Sequence, residues 1–526
     1  MRSPAAAALL KACAAISLIW LVWPATPAHA ADAEAALAGL RAVTVDAART
    51  TGRLRSLQGV NGAPAPGFHK PLDFPFGGWN IPAEWDATAG YKAARIDLVR
   101  THDAYGPGDI DAVFGPEHGP PGSVIAAERG RLVIFPRADA DPDDPASYNF
   151  GPTDALIASI RNTGAQVIFR IGRSESSAVA PPADIAHYAE VVRHIVLHYN
   201  RGWANGFHYG IRYWEIWNEP DLGRLFWGGT PEQYHAMYAS LARAVKSADP
   251  KALVGGPAIA RSNDASPYRE GFMEYVQRHK VPLDFFSWHW YATDSNDPQD
   301  LPRLARDIRA ALDRHGLRRT RSIVTEWNYG LEPVLPATPL RAAFIASTLM
   351  YLQDAPLDLS TIYRGDNLFG PEGTTPDAAG QALIALGRMQ DTPRRLAVQG
   401  ADAQGFAVQA GRSPDGSRIQ VLISNYEIPP AFRGPRRSGG VLGVPGVFEL
   451  QLLPRREVHY KDNAGYALTI QGLRAGAGYA IERCRVNAGT ALECRMLEPA
   501  RGPRIQLQNA LPPPGIELIV LRRRDR

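Results

Sequence analysis

Between residues 54 and 392, short apolar runs alternate with longer amphipathic stretches, eight times over. The runs Leu54–Asn61, Ile96–Arg100, Gln166–Ile171, Tyr213–Trp217, Ala252–Gly256, Asp284–Trp288, Ser322–Thr325 and Leu359–Tyr363 read as buried strands, rich in β-branched and aromatic residues. Ala83–Ala94, Thr153–Thr163, Ala183–Tyr199, Pro231–Ala248, Tyr268–His279, Leu301–Arg314, Leu340–Gln353 and Ala378–Met389 read as the helices that follow them. Thr230 before Pro231 is a natural N-cap with proline at the first helical position. Strands that alternate with helices must run parallel, and eight such units predict a closed (β/α)8 TIM barrel. An open doubly wound sheet is the alternative, but no glycine-rich dinucleotide fingerprint follows any strand.

From about Arg394 the pattern changes to strands without helices between them. Gly405–Ala410, Arg418–Asn425, Val447–Leu453, Ala467–Gly472, Tyr479–Val486, Arg504–Gln508 and Gly515–Arg522 are separated by turns such as Ser413-Pro414-Asp415-Gly416. This predicts a C-terminal β-sandwich domain over 394–526, packed on a barrel over 31–393, with a sugar-binding module as an alternative role. Asp32–Ala48 is alanine-rich and reads as helical or irregular, although the chain just before the first barrel strand is a candidate to add a strand to the sandwich.

Length and charge change this picture little. A chain of 526 residues is too long for one ordinary core, in keeping with a barrel plus a smaller domain. The net charge of +4 falls to +2 without Arg2 and Lys11, which is no footprint for nucleic acid. Residues 1–30 have the form of a secretory signal peptide: Arg2 and Lys11, an apolar stretch Ala12–Trp23, and Ala28-His29-Ala30 as the cleavage site. The expectation is an exported protein, periplasmic or extracellular, cleaved near Ala30, with no membrane attachment after removal. Cys484 and Cys494 then remain; an exported chain permits a disulfide between them, and two unpaired thiols are the other reading. No metal or cofactor is expected, because no His-Glu-x-x-His, P-loop or zinc spacing occurs.

The candidate chemistry sits at two strand ends. Arg212-Tyr213-Trp214-Glu215-Ile216-Trp217-Asn218-Glu219-Pro220 is a strand stopped by a proline that cannot extend the ladder. Ile323-Val324-Thr325-Glu326-Trp327-Asn328 has the same grammar about a hundred residues later. In a (β/α)8 barrel, chemistry lies past the C-terminal strand ends, so Glu219 after the fourth strand and Glu326 at the seventh should share one mouth. Two carboxylates flanking a glycosidic bond supply the proton donor and nucleophile of acetal hydrolysis.

Trp214 to Pro220 resembles the acid/base motif of clan A retaining glycoside hydrolases. With Asp221-Leu222, Phe226-Trp227, Tyr234, Asp249-Pro250 and Val254-Gly255-Gly256-Pro257-Ala258, the chain is similar to glycoside hydrolase family 39, the β-xylosidase and α-L-iduronidase family. The resemblance implies Glu219 as acid/base, Glu326 as nucleophile and Asn218 as the amide that holds the sugar 2-hydroxyl. It further implies substrate-site roles for Arg100 and His102 at the second strand and for His289 and Tyr291 at the sixth, with Tyr291 reaching Glu326. Trp214, Trp217 and Trp227 are candidates to shield Glu219, and Trp290, Trp327 and Asn328 to form a sugar platform.

The resemblance departs past the eighth strand. Tyr363-Arg364-Gly365-Asp366-Asn367-Leu368-Phe369-Gly370 places glycine where the family's sugar-contacting acid falls, with Asp366 or Glu372 as substitutes. Arg364 invites an acidic sugar, or else faces outward paired with Asp366. The reading is a secreted retaining glycoside hydrolase, β-xylosidase-like or a related exo-glycosidase, acting on an oligo- or polysaccharide. An endo-acting hydrolase of a secreted polysaccharide and a non-catalytic carbohydrate-binding protein on the same barrel are the alternatives.

Overall fold

The computed structural model describes residues 40–65, 85–102, 104, 106–111, 132–174, 180–263, 265–293, 295–330, 338–366, 368–370, 372–433, 458, 460 and 465–524. The signal-peptide segment 1–30 and the predicted strand 447–453 lie outside these. Strand β1 (Leu40–Arg53) leads into β2 (Gly59–Asn61), α1 (Thr88–Ala94), β3 (Leu98–Thr101), α2 (Gly151–Asn162), β4 (Gln166–Ile171), α3 (Ile185–Arg201) and β5 (Tyr213–Ile216). There follow α4 (Pro231–Ala248), β6 (Leu253–Ile259), α5 (Phe272–His279), β7 (Phe285–Ala292), α6 (Asp300–Arg314), β8 (Arg321–Tyr329), α7 (Pro339–Leu352), β9 (Leu359–Ile362) and α8 (Ala378–Met389). Strands β2 to β9 are parallel neighbours in chain order and close into an eight-stranded barrel through the β2–β9 pair. Thr230 caps α4 as expected, its side chain accepting from Gln233 N while Gln233 Oε1 accepts from Thr230 N. Among the described residues no helix is long and apolar enough to cross a membrane.

The barrel interior is layered. Leu98, Ile168, Tyr213, Phe285 and Ile323, with Leu253 and Leu359, pack as one apolar cluster. Two residues further along the same faces come Arg100, Arg170, Glu215, Ser287, Thr325 and Thr361, all buried. Because strand side chains alternate with period two, these residues stack above the apolar layer as a polar layer directed at the C-terminal mouth.

Nine strands form the second sheet: β1 and β10 (Arg394–Gln399), β11 (Phe406–Arg412), β12 (Arg418–Asn425), β13 (Gly465–Gln471), β14 (Gly478–Arg485), β15 (Glu493–Arg501), β16 (Ile505–Ala510) and β17 (Gly515–Arg523). They run in the order β15-β14-β17-β12-β11-β10-β1-β13-β16. The sandwich is thus one continuous hydrogen-bonded sheet, curled so that Ile481 of β14 and Ile505 of β16 share a core with Val45 of β1. The expectation of helix or irregular chain over Asp32–Ala48 fails from Leu40 onward: β1 pairs antiparallel to β10 and parallel to β13. Its alternation of buried Val43, Val45 and Ala47 was obscured by the surrounding Ala and Arg. The opposite faces of β11, β12 and β17 pack on α7, which is buried on nearly every side. Ser347 Oγ donates to Gly405 O at 3.0 Å, and Ser424 Oγ donates to Ala343 O at 3.0 Å, tying helix to sheet. Cys484 and Cys494, directly opposed on β14 and β15, are joined as a disulfide.

Candidate active site

Glu219 is placed by a bend that few residues adopt unaided. Trp217 and Glu219 both have left-handed backbone, with φ of 73° and 44°. The bend is held from several sides. Glu219 N donates to Ala258 O at 2.9 Å, and Asp221 accepts from Ala260 N at 3.0 Å and Arg261 N at 2.7 Å. The Trp217 indole donates to Phe226 O at 2.8 Å and meets Trp227 edge-on, with ring centroids 5.4 Å apart. On the far side of the mouth, the register of β8 slips between Val324 and Trp327 against β9, and a matching irregularity occurs against β7. Such a bulge re-aims a side chain, here Glu326.

Arg100 joins the two strand ends. Its Nε donates to Glu215 Oε2 at 2.6 Å, Nη1 to Glu326 Oε2 at 3.0 Å and Asn61 Oδ1 at 3.1 Å, and Nη2 to Asn218 Oδ1 at 2.8 Å. The Tyr291 hydroxyl donates to Glu326 Oε1. Burial, then the charge of Glu326, pushes that phenol well above its ordinary range, so it stays a donor. His289 Nδ1 lies 2.8 Å from Glu219 Oε1 and 3.9 Å from Glu326 Oε2, and His102 Nε2 lies 3.7 Å from Glu326 Oε2. Burial, then the Arg100 charge, holds both imidazoles well below the usual range, hence neutral. A neutral His289 donates from Nδ1 to an ionised Glu219, or accepts the proton of a protonated one. One oxygen of Glu219, one of Glu326 and a nitrogen of His289 all fall within 4.8 Å of one another. That trio has metal-ligand spacing, but the Arg100 guanidinium already occupies the Glu326 side and would repel a cation. The Asn218 amide nitrogen, buried, has no partner among the described residues and is left to donate to a ligand.

The family model described as "Glycosyl hydrolases family 39" matches residues 133–365. A solved structure titled as a glucosidase from Croceicoccus marinus is 33% identical, covering 92% of this chain and 100% of that one, with a TM-score of 0.79. The chain belongs to glycosyl hydrolase family 39. Two curated relatives are β-xylosidases. That of Caldicellulosiruptor saccharolyticus is 29% identical, over 43% of this chain and 50% of that protein. That of Geobacillus stearothermophilus is 30% identical, over 41% and 48%. The chain spans about half the length of these relatives.

Within this family 39 barrel, Glu219, Glu326, Asn218, Arg100, His102, His289 and Tyr291 converge on one mouth, and Trp327 does not. It is fully buried in the apolar core, because adjacent strand residues face opposite sides and the bulge gives the lumen side to Glu326. Trp290 stacks on Phe344 at 6.2 Å, and the Asn328 amide is taken up by Tyr363 O, Tyr329 N and Arg341 Nε, so neither is a sugar platform. Trp214 points away from the lumen onto Phe169, with centroids 4.9 Å apart, and shields nothing at the mouth. Asp366 accepts from Arg364 Nε at 2.6 Å and Nη2 at 2.5 Å; both residues are buried, so Arg364 is paired but does not face outward. The pair lies near enough for Arg364 to depress the His102 pKa, while Glu372 is exposed. Sequence reasoning missed Asn61, Arg170 and Glu215. Their signal is present: a charged or amide residue two positions beyond a lumen-facing apolar one, inside an otherwise buried strand.

Proposed function

We propose that this chain is an exported retaining glycoside hydrolase, acting as a β-xylosidase or related exo-glycosidase by double displacement. The observation that carries the reading is the approach of Glu219 and Glu326 to within 4.8 Å. Nearest oxygens this close leave little room for the water that an inverting enzyme holds between carboxyl groups ~6.5–9.5 Å apart, and favour the ~5–5.5 Å arrangement of retaining enzymes. In the first step a Glu326 oxygen bonds to the anomeric carbon as the glycosidic C–O bond breaks, and Glu219 gives its proton to the departing oxygen. In the second, Glu219 takes a proton from water, whose oxygen replaces Glu326 at the anomeric carbon. Arg100 and Tyr291 hold Glu326 ionised and aimed, and the Asn218 amide donates to the sugar hydroxyl beside it. Glu219 keeps its proton between turnovers because a second negative charge so close to Glu326 is disfavoured.

β-Xylosides are the first substrates to try, because the two curated relatives are β-xylosidases, and β-glucosides the second, because the Croceicoccus marinus relative is a glucosidase. The Arg364–Asp366 pair is internally neutral, which favours a neutral sugar over a uronate. Aryl β-D-xyloside hydrolysis followed by NMR should release β-xylose first, and a 2-deoxy-2-fluoro xyloside should label Glu326. Release of the α-anomer would overturn retention; binding of glycans without release of reducing ends would make this a binding protein.

A further inference from the structure

We propose that Glu215 is a positioning residue for the reaction: it anchors Arg100 and divides its charge, so that Glu326 remains both aimed and nucleophilic. This rests on the reading of Glu326 as nucleophile. Glu215 is fully buried, one lumen layer beneath the mouth, and touches no space open to a sugar. Its contact is with the Nε edge of Arg100, at 2.6 Å. The guanidinium is planar and rigid, so fixing that edge fixes where the remaining N–H groups point. Those groups meet Asn61, Asn218 and Glu326, one on each of three other segments.

Arginine–carboxylate pairs are frequently two-pronged, as Arg364 is on Asp366. Were Arg100 free to pair so with Glu326, two of its N–H groups would bear on the nucleophile and counter more of its charge. With Glu215 on Nε, Glu326 receives one N–H from Arg100 and one O–H from Tyr291. Among the described residues, the other charged or titratable groups near this pair are as follows. Arg170 on β4 is held by Asp109 at 2.5 Å, and His102 on β3 and His289 on β7 are neutral. Arg364 is paired with Asp366 past β9, Glu219 lies past β5, and Tyr234 on α4 stays protonated, donating to Ile216 O. Arg100 is therefore the cation that Glu215 and Glu326 share.

The test is the pH profile of kcat/KM for an aryl β-D-xyloside or β-D-glucoside. Glu215→Gln keeps an oxygen for Arg100 Nε but removes the charge. Arg100 then acts undivided on Glu326, so the acidic limb should move to lower pH by about one unit, and kcat should fall about tenfold with KM nearly unchanged. Glu215→Asp keeps the charge but withdraws it by one methylene; kcat should fall while the acidic limb stays in place, which also serves if the Gln variant does not fold. Folded variants with the wild-type limb and wild-type kcat, even with a lowered melting temperature, would reduce Glu215 to a structural ion pair and overturn the proposal alone. A wild-type protein inactive on every glycoside tried would overturn the proposed function, and this inference with it.

Discussion

At the scale of single residues, the mouth holds its carboxylates by different means, and substitutions should separate them. Glu326→Gln should remove turnover, because a neutral amide is too weak a nucleophile to displace the leaving group at the anomeric carbon. Glu219→Gln should lower kcat/KM by about 10²–10⁴-fold on glycosides with poor leaving groups and far less on activated aryl glycosides, whose departing oxygen needs no proton. A kinetic comparison of the two leaving groups checks this, and equal losses would remove Glu219 from the proton-donor role. The neutral histidines carry a stability signature. His102 and His289 have folded pKa values depressed by burial, then by Arg100. The unfolded chain therefore takes up protons near 6.5 that the folded chain refuses. Stability is whole above that value and lost as pH falls below it, by up to ~1.4 kcal/mol per pH unit for each histidine. Urea unfolding between pH 7 and 5 should show this slope, and His102→Gln should flatten it.

At the scale of elements, the strand-to-loop bend after β5 depends on a glycine in the neighbouring strand end. Gly172, just past β4, has φ of +130°, and a Cβ there would lie 2.8 Å from the Trp217 ring. Gly172→Ala should destabilise the fold by about 1–3 kcal/mol through backbone strain alone, and displace Trp217 with the adjoining Asn218 and Glu219. Chemical denaturation paired with kcat tests both parts; a stable, fully active variant would show the bend to be supported elsewhere. The strands were legible because each ends at a turn or a polar cluster, and Glu219 and Glu326 stood out at two such ends. Glu215 and Arg170 did not, since a barrel strand buried on both faces reads as one apolar run. Period-two alternation then cannot say which face is lumen. The same ambiguity put Trp327 and Trp214 at the mouth when they belong to the layer between strands and helices.

At the scale of the molecule, the second sheet holds both ends of the described chain, since β1 precedes the barrel and β10 to β17 follow it. Its central strands and α7 are buried against each other, so the sheet acts as an extension of the barrel core. The Cys484–Cys494 bridge closes a ten-residue segment at the sheet edge, beside Arg388 of α8. Reduction should lower stability by about 3 kcal/mol, the loop-closure entropy for that length, and leave kcat at 25 °C intact. Thermal unfolding with and without reductant measures the first and an activity assay the second; loss of activity on reduction would mean the hairpin supports the mouth.

What the sequence by itself determined is local: the β/α rhythm, the change to strands near Arg394, the Thr230 cap, and two glutamates at equivalent strand ends. These follow from periodicity, turn residues and strand-stopping proline, which act over a few residues. Only the tertiary structure decided which face of each strand looks inward, that Leu40–Arg53 is a strand, and that one buried arginine is shared among Glu215, Glu326, Asn218 and Asn61. Those depend on barrel closure and on pairings across up to hundreds of residues, and no pattern within a strand encodes its partner.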